Sequence, residues 1–182
     1  MGRRGLDGTG LECTGTERKG FTMESIELTE LVLDWGLYPR TSLDTTNVRM
    51  IVQALEAGET MPPLIVDRTT KKIVDGFHRY HAYLTVLPDN GEVEVEFRDY
   101  ESTGELFTES LRLNARHGRS LTPLDRANAL QRGEEFGLTV EQISGALALT
   151  VERATALTKS RSATTPSGEP LMLKHTLKHL RG

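Results

Sequence analysis

The sequence predicts an α+β fold that passes into an all-helical segment. Three observations carry that expectation. Short β-branched runs at Leu64–Asp67 and Lys72–Asp75 flank the turn Arg68-Thr-Thr-Lys71, the pattern of a hairpin. The second run passes through Gly76 directly into a helical pattern, so strands and helices share the first two thirds of the chain. From Leu121 the apolar period is helical up to Lys159.

Each element follows from local chemistry. Residues 1–22 are rich in Gly, Thr and charge with little periodicity, and read as a disordered tail. Met23 opens the ordered pattern and is a candidate initiator. Ser25–Leu28 is a short strand candidate. Asp44 or Thr45 caps a helix running to about Glu56, with Val48, Ile51, Val52 and Leu55 on one face, and Gly58 stops it. The helix from Phe77 ends before the turn Pro88-Asp-Asn-Gly91. Glu92–Phe97 alternates Glu with Val or Phe, a strand with one wet face. Thr103–Ala115 is a further helix. Thr122 caps the next, with Pro123 at its first position and Asp125 in its first turn; it runs to Phe136, where Gly137 ends it. Val140–Leu147, a break at Ala148-Leu149, and Thr150–Lys159 then give a helix-turn-helix spacing. Residues 161–182 read as a Ser-, Thr-, Pro- and Gly-rich linker and a short basic C-terminal segment, with Leu171–Leu180 either a short helix or a frayed end.

At 182 residues the chain suits one domain, or a small domain with a helical appendage. No apolar run approaches the ~18 residues a membrane helix requires, and the first residues lack an apolar signal core. Cys13 is the only cysteine, so no intrachain disulfide forms, which fits a cytoplasmic protein. The net charge of −4 is unevenly spread. Residues 23–110 hold seven basic and seventeen acidic side chains, and residues 111–182 hold eleven basic and six acidic. A basic C-terminal part suits either a polyanionic partner such as DNA or an ordinary solvated helical surface.

The stretch Ile73-Val-Asp-Gly-Phe-His-Arg-Tyr-His-Ala82 carries the chemistry. A strand, a glycine and a helix start together form an anion-binding geometry, because the glycine permits close approach and the first helical N–H groups lack partners. Arg79 adds a planar fork of donors matched to phosphate oxygens. Gly76, His78 and Arg79 are therefore candidate phosphate contacts. The structural alternative makes His78 a cap and pairs Arg79 with a nearby carboxylate. His78 and His81 stand three apart on one helix, but no Cys or Asp joins them at metal-ligand spacing.

This stretch resembles the phosphate motif of the ParB/sulfiredoxin superfamily, where ParB proteins carry G-E-R-R-x-x-A and sulfiredoxins G-C-H-R. Gly76-Phe77-His78-Arg79 with Ala82 and a preceding Asp75 is similar to the form seen in StrR-like regulators and phage ParB-like proteins. Two further boxes agree in order. Tyr38-Pro39-Arg40, then Ala54–Gly58 and Pro62-Pro63-Leu-Ile-Val66, resemble the first box. Asn114-Ala-Arg-His117-Gly118, then Leu121–Arg126, resemble the third. The match covers roughly residues 24–158.

The resemblance implies a small mixed sheet with helices at residues 23–118, a helix-turn-helix domain at 119–160, and no zinc. It implies a DNA-binding regulator or partition-type protein, a homodimer, whose first domain binds a nucleotide, CTP with Mg2+. Gly76, His78 and Arg79 would hold the phosphates, Arg40, Gly58 and Pro63 would shape the neighbouring loop, and Asn114 would approach the metal. The family's Glu before that Asn is Leu113 here; Glu109, one turn earlier, is the carboxylate that could replace it. Weak CTP hydrolysis is thus an open question. Phe77 stands where sulfiredoxins have their cysteine, which rejects reductase activity. DNA contact would fall to Thr150, Arg153, Thr155 and Lys159, aided by Arg116 and Arg119. Two alternatives stay open: a nuclease or phosphotransferase of phage or mobile-element type, and a DNA-binding module without nucleotide.

Overall fold

The computed structural model describes residues 22–88, 90–116, 120–159, 162–164 and 170–172. Four strands form a mixed sheet: β1 (Thr22–Glu27), β2 (Leu64–Asp67), β3 (Ile73–Asp75) and β4 (Glu92–Arg98), in the order β1-β4-β2-β3. β1 runs antiparallel to β4, β4 parallel to β2, and β2 antiparallel to β3. In β4 the alternation places Val93, Val95 and Phe97 in the core and leaves Glu92 and Glu94 in water. Residues 1–21 lie outside the described residues; Thr22, at the tail's edge by sequence, already belongs to β1.

Helix ends lie where the polar residues anticipate them. The Asp44 carboxylate accepts from Thr46 N and Asn47 N and starts α1 (Thr45–Glu56). Gly58 follows with φ +83°, a conformation a side chain resists. α2 (Phe77–Val86) starts at Gly76, and α3 (Thr103–Arg116) packs against β3. α4 (Pro123–Glu135) and α5 (Val140–Ala146) each begin with a capping box, Thr122 with Asp125 and Thr139 with Gln142. α6 (Val151–Lys159) follows a turn in which Ala148 takes φ +53°.

The core is continuous from sheet to helices. Phe97, Leu64, Ile73 and Leu37 are fully buried with Phe107 and Leu111 of α3, and Leu130 and Ile143 extend the same cluster into α4 and α5. The Phe107 and Phe136 rings meet edge to face at 5.2 Å. α3 is thus the element that joins the sheet to the C-terminal helices. Among the described residues no helix is long and apolar enough to cross a membrane.

One expectation is corrected. Part of the segment read as linker pairs as strands: β5 (Ser162–Thr164) and β6 (Pro170–Met172) run antiparallel, Ser162 opposite Met172 and Thr164 opposite Pro170. The small polar residues that signal a linker are also those that close hairpins, and three-residue strands are too short to display alternation. Pro170 sits at the first residue of its strand, where a missing N–H is tolerated. Leu171 and Met172 are therefore strand residues, and the remainder of Leu171–Leu180 lies outside the described residues.

Candidate functional site

A cavity of about 370 Å³ opens where five separate parts of the chain meet. The segment after Leu37 contributes Tyr38, Arg40 and Asp44; α1 contributes Asn47 and Ile51; Met61 and Pro62 precede β2. The end of β3 and the first turn of α2 contribute Asp75 to Arg79, and Asn114 closes it from α3. Of the residues expected at a nucleotide site, Arg40, Gly76, His78, Arg79 and Asn114 are brought together here.

Gly76 makes the turn possible. Its φ is +105°, and a Cβ would lie 2.4 Å from Leu64 Cδ2, so any side chain would meet both strain and a buried neighbour. No side chain caps α2 at this glycine. The first-turn N–H groups thus bring the positive end of the helix dipole to the cavity wall.

Arg79 lines the cavity but is also a brace. Its Nη1 donates to Pro62 O at 2.5 Å and Pro63 O at 2.7 Å, and its Nη2 to Asp75 Oδ2 at 2.8 Å. It holds the 62–63 segment against the end of β3, with the carboxylate pairing that the structural alternative expects. Gly58 and Pro63 do not line the cavity: Gly58 turns the chain after α1, and Pro63 supplies a carbonyl to Arg79. Pro62 and Met61 take the lining positions.

His78 sits between Asp44 N–H, which donates to its Nε2 at 3.4 Å, and the Tyr38 hydroxyl, also at 3.4 Å. Burial, then the charge of Arg40, holds its pKa below the ordinary histidine value. An accepting Nε2 assigns the proton of the neutral ring to Nδ1. Its reading as a helix cap is not realised, since α2 has no side-chain cap. Tyr38 stacks on Phe77 at 4.7 Å, and burial raises its phenol pKa to about 12.

The metal side is sparser. Asn114 Nδ2 donates to Ser110 O at 3.0 Å, which leaves the amide oxygen as its acceptor. Leu113 packs against the core. Glu109 does not take the place of the missing carboxylate, because it is paired with Arg98 and Arg112, each at 2.7 Å, away from the cavity. Asp44 and Asp75 are the carboxylates present, one capping α1 and the other on Arg79. Among the described residues no group of three or more His, Cys, Asp or Glu gathers at a metal-binding spacing. A magnesium ion would therefore depend on phosphate oxygens with Asn114 and one of these carboxylates.

In the C-terminal helices, Arg153 is exposed near the start of α6, where its N–H donates to Thr150 Oγ1 at 3.3 Å. The Thr155 hydroxyl donates to Val151 O at 2.8 Å, so its hydrogen is used within the helix. Arg116 and Lys159 fall at the ends of α3 and α6, but their side chains, and all of Arg119, lie outside the described residues. Residues missed as site candidates by sequence are Tyr38, Asp44, Asn47, Ile51, Met61, Pro62, Asp75 and Phe77. Tyr38 and Asp75 adjoin the recognised motifs; Asn47, Ile51 and Met61 carry no local signal.

No protein-family model matches the chain. Over 90 residues it is 33% identical to the transcriptional regulator NovG of Streptomyces niveus, a stretch amounting to 50% of this chain and 26% of that regulator. The chain thus spans about a quarter of that relative's length. A solved pNOB8-like ParB N-domain superposes with a TM-score of 0.50 at 18% identity, covering 84% of this chain and 57% of the other. The C-terminally truncated chromosome-partitioning protein ParB from Caulobacter crescentus, complexed to the centromeric parS site, gives 0.51 at 15% identity, covering 75% and 70%. At these identities the likeness is one of fold: the chain has the fold of a ParB N-domain.

Proposed function

We propose that the chain is a ParB-like DNA-binding regulator or partition-type protein that binds a nucleotide, CTP with Mg2+, in the cavity at the start of α2. One observation supports this most: the cavity gathers Arg40, Gly76, His78, Arg79 and Asn114 from segments far apart in sequence. In this reading the first turn of α2 and Arg40 take the phosphates, and His78 donates from Nδ1. Asn114 approaches the metal, and Arg79 holds the cavity rim while adding charge. Gly58 and Pro63 act indirectly, by shaping the rim. Residues 23–118 form the nucleotide domain and 119–160 a helix-turn-helix domain, with α6 entering the major groove of DNA. Thr150, Arg153, Thr155 and Lys159 contact DNA, with Arg116 and Arg119 on its backbone, and two copies of the chain act together. CTP is chosen on the motif resemblance.

Titration calorimetry of the chain with CTP, ATP and GTP in magnesium tests the reading, repeated on Arg40→Ala. Saturable CTP binding weakened at least about ten-fold by Arg40→Ala is expected, the loss of one charge-assisted contact to phosphate. No binding to any nucleotide would reject it and move the DNA-only reading to first place. In that case a salt-steep DNA isotherm, its slope reduced by about one in Arg153→Ala, would carry the function alone.

A further inference from the structure

The segment from Asp34 to Asp44 carries Tyr38, Arg40 and Asp44 into the cavity. Its two ends are fixed nearby. Asp34 pairs with Lys72 at 2.9 Å and accepts from Gly36 N, and Asp44 caps α1. Its middle is held from the helical side. Ser110 of α3 donates to Leu37 O at 3.0 Å. α4 then grips it twice. Arg132 Nη1 is shared among Trp35 O at 3.2 Å, Gly36 O at 3.2 Å and Tyr38 O at 2.7 Å. Two turns earlier, Asp125 Oδ1 accepts from Thr41 N at 2.8 Å and Thr41 Oγ1 at 3.0 Å. Arg40 lies between the two grips.

Both residues are specialised for this. Asp125 is 4% exposed, and its other oxygen accepts from Thr122 N and Thr122 Oγ1. Burial pushes its pKa up, but these bonds together with those from Thr41 outweigh burial and hold the carboxyl below the usual range. It is an anion that organises two segments at once. Arg132 reaches the last carbonyls before Pro39, whose missing N–H removes one local way of ordering this turn.

We infer that Asp125 and Arg132 are positioning residues of the cavity: α4, which sequence assigns to the DNA-facing half, clamps the Trp35–Thr41 segment and thereby sets Arg40 against the ligand. The ligand named in the test rests on the nucleotide reading above. The clamp itself has an independent reporter, because Trp35 is the only tryptophan and is 49% exposed, with its carbonyl on Arg132.

The test uses the full chain and four variants, with CTP and magnesium as the probe and acrylamide quenching of Trp35 read in parallel. Arg132→Gln and Thr41→Val are expected to weaken CTP binding, Arg132→Gln by about ten-fold. Arg132→Gln is also expected to raise the accessibility of Trp35, and Arg132→Lys to recover part of both. Thr122→Ala removes the α4 cap but leaves Asp125 on Thr41; it is expected to lower the melting temperature while sparing affinity and quenching. Equal affinity losses in Thr122→Ala and Arg132→Gln, or unchanged Trp35 quenching in Arg132→Gln, would overturn the clamp and make α4 a stabilising element only. If the parent chain binds no CTP while Arg132→Gln still exposes Trp35, the nucleotide reading fails and the clamp stands.

Discussion

The cavity and the α5–α6 pair are built by opposite rules. Around the cavity, hydrogen bonds reach across the chain: Thr41 to Asp125, Tyr38 to Arg132, Tyr38 to His78, and Pro62 to Arg79. In α5–α6 they stay local: Thr139 with Gln142, Ser144 with Val140, Thr155 with Val151, and Thr158 with Ala154. A cavity of the first kind exists only when the whole fold is assembled, so any molecule bound there would read tertiary structure. A helix pair of the second kind presents its surface almost independently of ligand geometry, and its polar side chains are cheap to change.

That contrast can be broken most sharply at Gly76. Gly76→Ala is expected to cost about 2–4 kcal/mol, combining a disallowed φ with overpacking against Leu64. Chemical denaturation at constant m-value measures it, and a cost below about 0.5 kcal/mol would remove the glycine from the argument. Arg79→Ala comes next, at about 1.5–3 kcal/mol, since it frees two proline carbonyls and strands the Asp75 carboxylate. In α5, by contrast, Gly145 has open space where a Cβ would stand. Gly145→Ala is expected to stabilise by about 0.5–1 kcal/mol, seen as a raised melting temperature. Arg153→Ala, on the exposed side of α6, is expected to leave stability within about 0.5 kcal/mol; a larger loss would show that α6 is held by contacts like those of the cavity.

The cavity also has a pH signature that α5–α6 lacks a histidine to share. His78 is held below the ordinary value by burial and then by Arg40, and His81 by burial. The unfolded chain binds these protons first as pH falls. Their contribution to stability is therefore complete above roughly pH 6.5 and is lost as pH falls through the depressed folded values. His78→Gln should flatten part of that slope in melts run from roughly pH 7.5 to roughly pH 5. An unchanged slope would assign the loss to His81 or to the carboxylates.

What the sequence disclosed follows the same division. Asp44, Thr122 and Thr139 mark helix starts, and Gly58, Gly76 and Gly137 take the left-handed conformations at which elements turn or end, because caps and turns are decided within a few residues. The ordered motifs also pointed to Arg40, Gly76, His78, Arg79 and Asn114. The remaining lining was not legible. Asn47, Ile51 and Met61 reach the cavity because α1 packs on α2, and no spacing rule foretells which face of α1 that contact leaves open. Nor did the local pattern reveal that Arg79 would spend its donors on Pro62 and Pro63, or that Glu109 would be taken by Arg98 and Arg112. The β5–β6 pair was missed for a different reason, being too short for periodicity.

The order β1-β4-β2-β3 has a consequence in time. Among the described residues β1 has no sheet neighbour but β4, with Glu27 opposite Glu92 and Thr22 opposite Phe97. During synthesis its partner is made only after ~65–75 further residues, about 3–15 s at typical rates of translation. Throughout that interval Ile26, buried in the finished sheet, stays unpaired on the nascent chain. The hairpin β2–β3 has no such wait, since its strands are almost adjacent. The sheet therefore grows from its far side toward β1, and a slow-translating stretch between Asp75 and Glu92 would lengthen the period in which β1 is open to pairing with another chain.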